Sequence, residues 1–204
     1  MNKMLGTVAS LCALLAVPIS AHAVVYQFNA TLNAANEFPT QPASTAIGIA
    51  SLQYDTHDTA SLVDDTYSFT EAVFGLTGPA TGYHIHASAT AAETAPVRIN
   101  FATTPGYLVT VSGNNVLVGA ANISAPTLIA ATAAGPTNGG HPAMSFLQVL
   151  QEGLAYVNVH TALNPGGEVR GQLMAVTAVP EPSTFALLLA GAGIVGLAAR
   201  RRRV

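Results

Sequence analysis

An all-β fold is what this sequence predicts: an antiparallel Greek-key sandwich or barrel with one short helix, flanked by an N-terminal signal helix and a C-terminal transmembrane helix. Three observations lead there. In the middle of the 204-residue chain apolar residues recur at every second position, the period of a half-buried strand. Clusters of Gly, Pro and Asn interrupt these runs at short intervals, as the turns of a sandwich or barrel do. The remaining apolar character gathers at the two ends, which separates a body from two differently composed terminal segments.

Residues 1–23 carry Lys3, an apolar run from Leu5 to Ile19 and the exit Ala21-His22-Ala23. A short apolar stretch behind a cation and before a small-residue site is a secretory signal peptide, with cleavage by signal peptidase expected after Ala23. The single cysteine, Cys12, lies inside this segment and has Leu11 before it, so it reads as apolar filler. The body is then free of cysteine, which excludes disulfides, thiolate metal sites and thiol catalysis.

The body, residues 24–178, has the size of one domain with one core. Its first strand alternates Val24, Tyr26, Phe28, Ala30 and Leu32 with Val25, Gln27, Asn29 and Thr31. Further strands are expected at Ala46 to Tyr54, Thr66 to Phe74, Gly82 to Ala87, Val97 to Phe101, Tyr107 to Val111, Leu154 to Thr161 and Glu168 to Ala175. One helix is expected, with Pro142 in its first turn, Ala143, Leu147 and Leu150 on one face and Gly153 ending it. The alanine- and threonine-rich stretch from Asn122 to Gly140 has no assignment. Asp55, Asp58, Asp64 and Asp65 lack the spacing of a calcium loop and read as a hydrated hairpin tip.

Nine of the ten acidic residues lie in the body, against two bases, Arg98 and Arg170. A nucleic-acid partner is excluded on that balance, since nothing replaces the counterions of a phosphate backbone. Nucleophile-elbow, zinc-protease, phosphate-loop and dinucleotide motifs are all absent, so no enzymatic activity is indicated.

The residues with chemical potential are histidines. His84 and His86 stand two apart in a strand and leave the same face. Val157 and Val159 claim the core side of their strand, which leaves Asn158 and His160 opposite. Matching hydrophobic parity in the following hairpin sets Val159 against Val169, Asn158 against Arg170 and His160 against Glu168. A carboxylate beside a histidine can orient its ring or form a plain surface pair. Three imidazoles without a thiolate suit copper or zinc and leave a position open for water or a ligand. His141 is expected in turn packing and His57 in solvent.

Residues 179–204 begin with Pro180-Glu181-Pro182, continue with the apolar run Phe185 to Ala199 and end in Arg200, Arg201, Arg202 and Arg203 before Val204. Fifteen helical residues span about 22 Å, short of the ~30 Å hydrocarbon core, so flanking arginines must snorkel. Cations on one side only place the arginines in the cytoplasm and the body outside. This order of motif, short span and arginine cluster resembles the PEP-CTERM sorting signal of Gram-negative bacteria. The resemblance implies cutting by an exosortase near Pro180-Glu181-Pro182, an inner-membrane intermediate, a final place at the cell surface or outside the cell, and company with exopolysaccharide and matrix components.

The body carries a second resemblance. Leu32-Asn33-Ala34-Ala35-Asn36-Glu37-Phe38-Pro39 with Gly48, then Gly82-Tyr83-His84-Ile85-His86, then Tyr156-Val157-Asn158-Val159-His160-Thr161 and Asn164-Pro165-Gly166-Gly167-Glu168-Val169-Arg170-Gly171-Gln172-Leu173 resemble the chordin-type, or CHRD, domain. Phe38 stands where the family usually has valine, and only Pro39 remains of a common proline pair. The resemblance implies a β-rich domain without established enzymatic activity. The Gly82 to His86 block is also similar to the copper strand of copper-zinc superoxide dismutases, whose bridging histidine, zinc-loop ligands and cysteines have no counterpart here. Two functions follow: a surface or matrix binding or structural module, with Glu37, His84, His86, Asn158, His160, Glu168 and Arg170 on polar strand faces, or a copper- or zinc-binding protein, possible redox work included, using His84, His86 and His160.

Overall fold

The computed structural model describes residues 25–176. The signal segment, the Pro180-Glu181-Pro182 motif, the apolar C-terminal run and Arg200 to Arg203 lie outside the described residues. Among the described residues ten strands run in chain order: β1 Val25–Asn33, β2 Ile47–Asp55, β3 Thr66–Phe74, β4 Ala80–Ala87, β5 Val97–Asn100, β6 Leu108–Ser112, β7 Asn115–Ser124, β8 Ala155–Thr161, β9 Val169–Gln172 and β10 Met174–Ala175. A 3-10 turn, Ala34–Asn36, follows β1, and the helix α1 spans Phe146–Gln151.

All pairings are antiparallel. They join into one sheet in the order β5-β4-β8-β9-β1-β2-β3-β7-β6, with β10 beside β1. The sheet curls into a half barrel. At its two edges Phe101, just past β5, stacks on Tyr107, just before β6, with ring centroids 4.7 Å apart. The residues that alternate inward supply the core. Phe28, Leu32, Leu52, Phe69, Val73, Ile85, Val157 and Val159 are all buried, each contributing roughly 1.5–3 kcal/mol of transfer free energy. Tyr67 sits edge-on to Phe146 at 5.6 Å, which packs the helix onto the core.

The alternation in β1 puts Phe28, Ala30 and Leu32 inside, as the sequence indicates. Three expectations change. First, α1 starts at Phe146 rather than after Pro142, because the Ser145 side chain accepts the Gln148 N–H as its cap while Met144 and His141 are tied to Ile129 and Thr132 by isolated bridges. Gly153, with φ 66°, terminates the turn beyond the helix, where a side chain would be strained. Second, β7 is a long strand where no strand is expected; its Gly119-Ala120-Ala121 centre has little β-propensity, and pairing on both sides with β3 and β6 imposes the extended form. Third, the final strand breaks into β9 and β10 around Leu173, whose side chain is fully buried. The unassigned segment after β7 forms a thin ladder of single bridges, Ile129 to Met144, Thr132 to His141 and Gly135 to Asn138. Among the described residues no helix is long and apolar enough to cross a membrane.

Candidate metal centre

Strand β4 lies between β5 and β8, and β8 between β4 and β9. Their inner side is core, with Ile85, Val157, Val159 and Val169 at zero exposure. The same alternation forces His84, His86, Asn158, His160 and Arg170 onto the outer side, where loops cover them. In the β4–β8 ladder Gly82 faces His160, His84 faces Asn158 and His86 faces Tyr156. In the β8–β9 ladder Asn158 faces Arg170 and Val159 faces Val169, the register that parity predicts.

The three histidines converge. Each can offer one ring nitrogen, and the nitrogens offered lie within 4.8 Å of one another. Ring centroids are 5.1 Å apart for His84 and His160, 5.5 Å for His84 and His86 and 5.9 Å for His86 and His160. Main-chain carbonyls orient two of the rings: Ala95 O lies 2.8 Å from His86 Nδ1 and Pro165 O lies 3.0 Å from His160 Nδ1. A carbonyl can only accept, so both Nδ1 atoms carry the proton and both Nε2 atoms present a lone pair. Those two Nε2 atoms and His84 Nδ1 are buried without any hydrogen-bond partner. Unpaired buried nitrogens are expensive, and here each ring contributes one.

Burial holds His84 and His86 down at about 4, and the neighbouring imidazoles push the same way. Burial also lowers His160, opposed by its bond to Pro165. All three are therefore neutral at pH 7, the protonation state in which imidazole binds a metal.

The surroundings are as well fixed as the rings. Tyr156 lies flat against His86, centroids 4.8 Å apart and planes 4° from parallel. Its hydroxyl accepts the Ala95 N–H at 3.2 Å, so one residue steadies both rings. Arg170 packs over Tyr156 with its guanidinium carbon 3.5 Å from the ring centre. At 1% exposure it is buried, and it donates to the Glu93 and Thr90 carbonyls and to Gln172 Oε1 at 2.7, 2.8 and 3.2 Å. Asn33 caps the 3-10 turn, and the Asn36 amide donates to the Thr31 and Arg170 carbonyls, which holds Glu37 over β8. There Glu37 accepts from the Asn158 amide at 3.4 Å. Burial raises Glu37 to about 7, with Arg170 and Asn158 acting in the opposite direction.

Glu168 does not stand beside His160. The β8–β9 ladder stops at Val159 and Val169, Gly167 turns at φ 131°, and the Glu168 carboxylate accepts instead from Ser44, from the Thr77 N–H and hydroxyl, and from Thr161 and Asn164. It pins three loops and leaves the orientation of His160 to Pro165. His141 bonds Glu93 at 2.9 Å, away from the cluster, and His57 lies in the exposed acidic loop.

Sequence reasoning passes over Gly82, Tyr156 and the two carbonyls. Strand parity alone places Gly82 and Tyr156 on the histidine face; nothing in side-chain identity marks Ala95 or Pro165.

Comparison with known families gives two matches. The CHRD domain pattern matches residues 28–173, and the PEP-CTERM protein-sorting motif matches residues 178–203. The chain belongs to the CHRD-domain family. The CHRD match covers every residue of the histidine cluster and its supports. The sorting motif marks this CHRD protein as exported from a Gram-negative cell and processed by exosortase, through a membrane-anchored intermediate. No curated protein and no solved structure matches it.

Proposed function

We propose that this exported CHRD domain binds one copper or zinc ion through His84, His86 and His160 and carries it at the cell surface or in the extracellular matrix. One observation carries the reading: three neutral imidazoles from two strands can each offer a ring nitrogen within 4.8 Å of the others, and each ring holds a buried nitrogen lacking a partner. A nitrogen-only, thiolate-free set matches the preference of both ions, with a fourth position for water or a ligand. Tyr156, Ala95 and Pro165 supply the outer support that such sites use to fix ring orientation.

A purely structural or matrix-binding role explains Arg170 and Glu168, whose polar atoms are engaged within the protein, but leaves the imidazole nitrogens unexplained. The test is to purify the exported chain without a histidine tag, measure bound copper and zinc, and titrate each ion at neutral pH. One ion per chain, bound more tightly than micromolar and lost in His84→Ala, His86→Ala and His160→Ala, is expected. Weaker binding, or binding that ignores these substitutions, overturns the reading. The surface destination is tested separately by fractionating cells with and without exosortase; a full-length chain retained in the inner membrane in both contradicts it.

A further inference from the structure

Resting on the three-imidazole reading, we propose that the centre favours copper in its monovalent state, and that Arg170 is the positioning residue that sets this preference. Among the described residues the cluster contains three histidines and no carboxylate. An ion held there brings its full charge into a partly desolvated pocket with no anionic ligand to offset it. In such surroundings a nearby fixed charge acts strongly.

A fixed positive charge lies one ring away from His86. The sheet order places β4 and β9 on opposite sides of β8, so His86 and Arg170 sandwich Tyr156: ring on ring at 4.8 Å on one side, guanidinium on ring at 3.5 Å on the other. Arg170 keeps its proton at any working pH. Only the Tyr156 ring separates its guanidinium from the His86 ring.

Two carboxylates can offset it. Glu37, raised by burial to about 7, is ionised at pH 8 but sits over Asn158 rather than over Tyr156. Glu93 is ionised but is engaged by His141 and by the Thr90 and Gly139 N–H groups. Arg170 is therefore the charge stacked directly against the Tyr156 and His86 pair. A fixed positive charge opposes a divalent ion twice as strongly as a monovalent one at the same place, so the site discriminates against Cu(II) and Zn(II) relative to Cu(I). Three neutral imidazoles also make a complete set for Cu(I), which accepts three ligands.

The experiment titrates the exported, tag-free chain at pH 8 with Cu(I) under reductant against a chromophoric competitor, and with Cu(II) and Zn(II) in separate runs. Cu(I) is expected to bind most tightly. Arg170→Met should lower the ratio of Cu(I) to Cu(II) affinity by about ten-fold, equivalent to a fall of about 59 mV in a one-electron potential. Arg170→Lys should lower it less. Glu37→Gln, which removes the counter-charge, should move the ratio the opposite way, and this variant carries the test if Arg170→Met does not fold. Tighter binding of Cu(II) or Zn(II) in the parent chain overturns the proposal, as does a ratio unchanged in folded Arg170→Met or in Glu37→Gln. Those results leave the three-histidine site standing. Failure to bind any of the three ions removes both.

Discussion

Gly82 faces His160 across the β4–β8 ladder, and a Cβ built on Gly82 falls 2.9 Å from Cε1 of His84 and 3.4 Å from Cδ2 of His160. The two rings lie over a backbone that has nothing on that side, and their closeness depends on it. Gly82→Ala should swing His84 aside and weaken metal binding by about ten-fold or more, with a change in thermal stability of only a few degrees. Competition titration against a chelator and a melting curve read the two effects. Unaltered affinity would show that the His84 ring is placed by something else.

An ion that binds only the folded domain stabilises it by mass action. At a hundred-fold excess over Kd the gain is about 2.7 kcal/mol, or roughly 5–10 °C in Tm for a domain of this size. Copper or zinc should raise the melting temperature of the parent chain by that amount and a chelator should reverse it. The His160→Ala chain should show neither response.

Glu71 sits on the core face of β3 between Ala50 and Val118, 3% exposed and with both carboxyl oxygens unpartnered. Burial pushes it from an ordinary 4.5 up to about 8. In the unfolded chain it ionises near 4.5, so between pH 4.5 and 8 the folded state binds more protons and stability falls as pH rises. Glu71→Gln removes that slope and should raise Tm at pH 9 by roughly 5 °C or more, with little change at pH 4.5. Equal melting temperatures at pH 9 would be incompatible with a carboxyl sealed in the core.

Glu168 has the opposite sign. Burial alone would raise it, but hydrogen bonds from Thr161, Thr77 and Ser44 outweigh burial and hold it at about 2. Its contribution is fully present above pH 4.5 and is lost as pH falls toward 2. Glu168→Gln should cost about 2–3 kcal/mol at pH 7, since buried donors on three loops lose a charged acceptor. The acid limb of its stability curve should flatten. A chemical denaturation series from pH 7 to pH 3 measures both.

Much of this architecture is legible in the chain because a strand's side chains alternate strictly. That rule placed Phe28, Leu32, Val157 and Val159 inside and His84, His86 and His160 outside, and it paired Asn158 with Arg170. It does not reveal strand order, so the pairing of β4 with β8, which makes three histidines into one cluster, is legible only in the folded sheet. Parity also failed at Glu168, where a glycine turn ended the ladder one residue before the expected pair. Strand β7 was hidden by its small residues, whose extended form is owed to neighbours rather than to their own preference.

The rings of His86 and His160 are aimed by the carbonyl groups of Ala95 and Pro165, which every amino acid possesses. The loops around Ala95 and Pro165 can therefore drift in composition without disturbing the aim of either ring, whereas adding or deleting a single residue would rotate it. Selection on these loops should act on their length far more than on their letters.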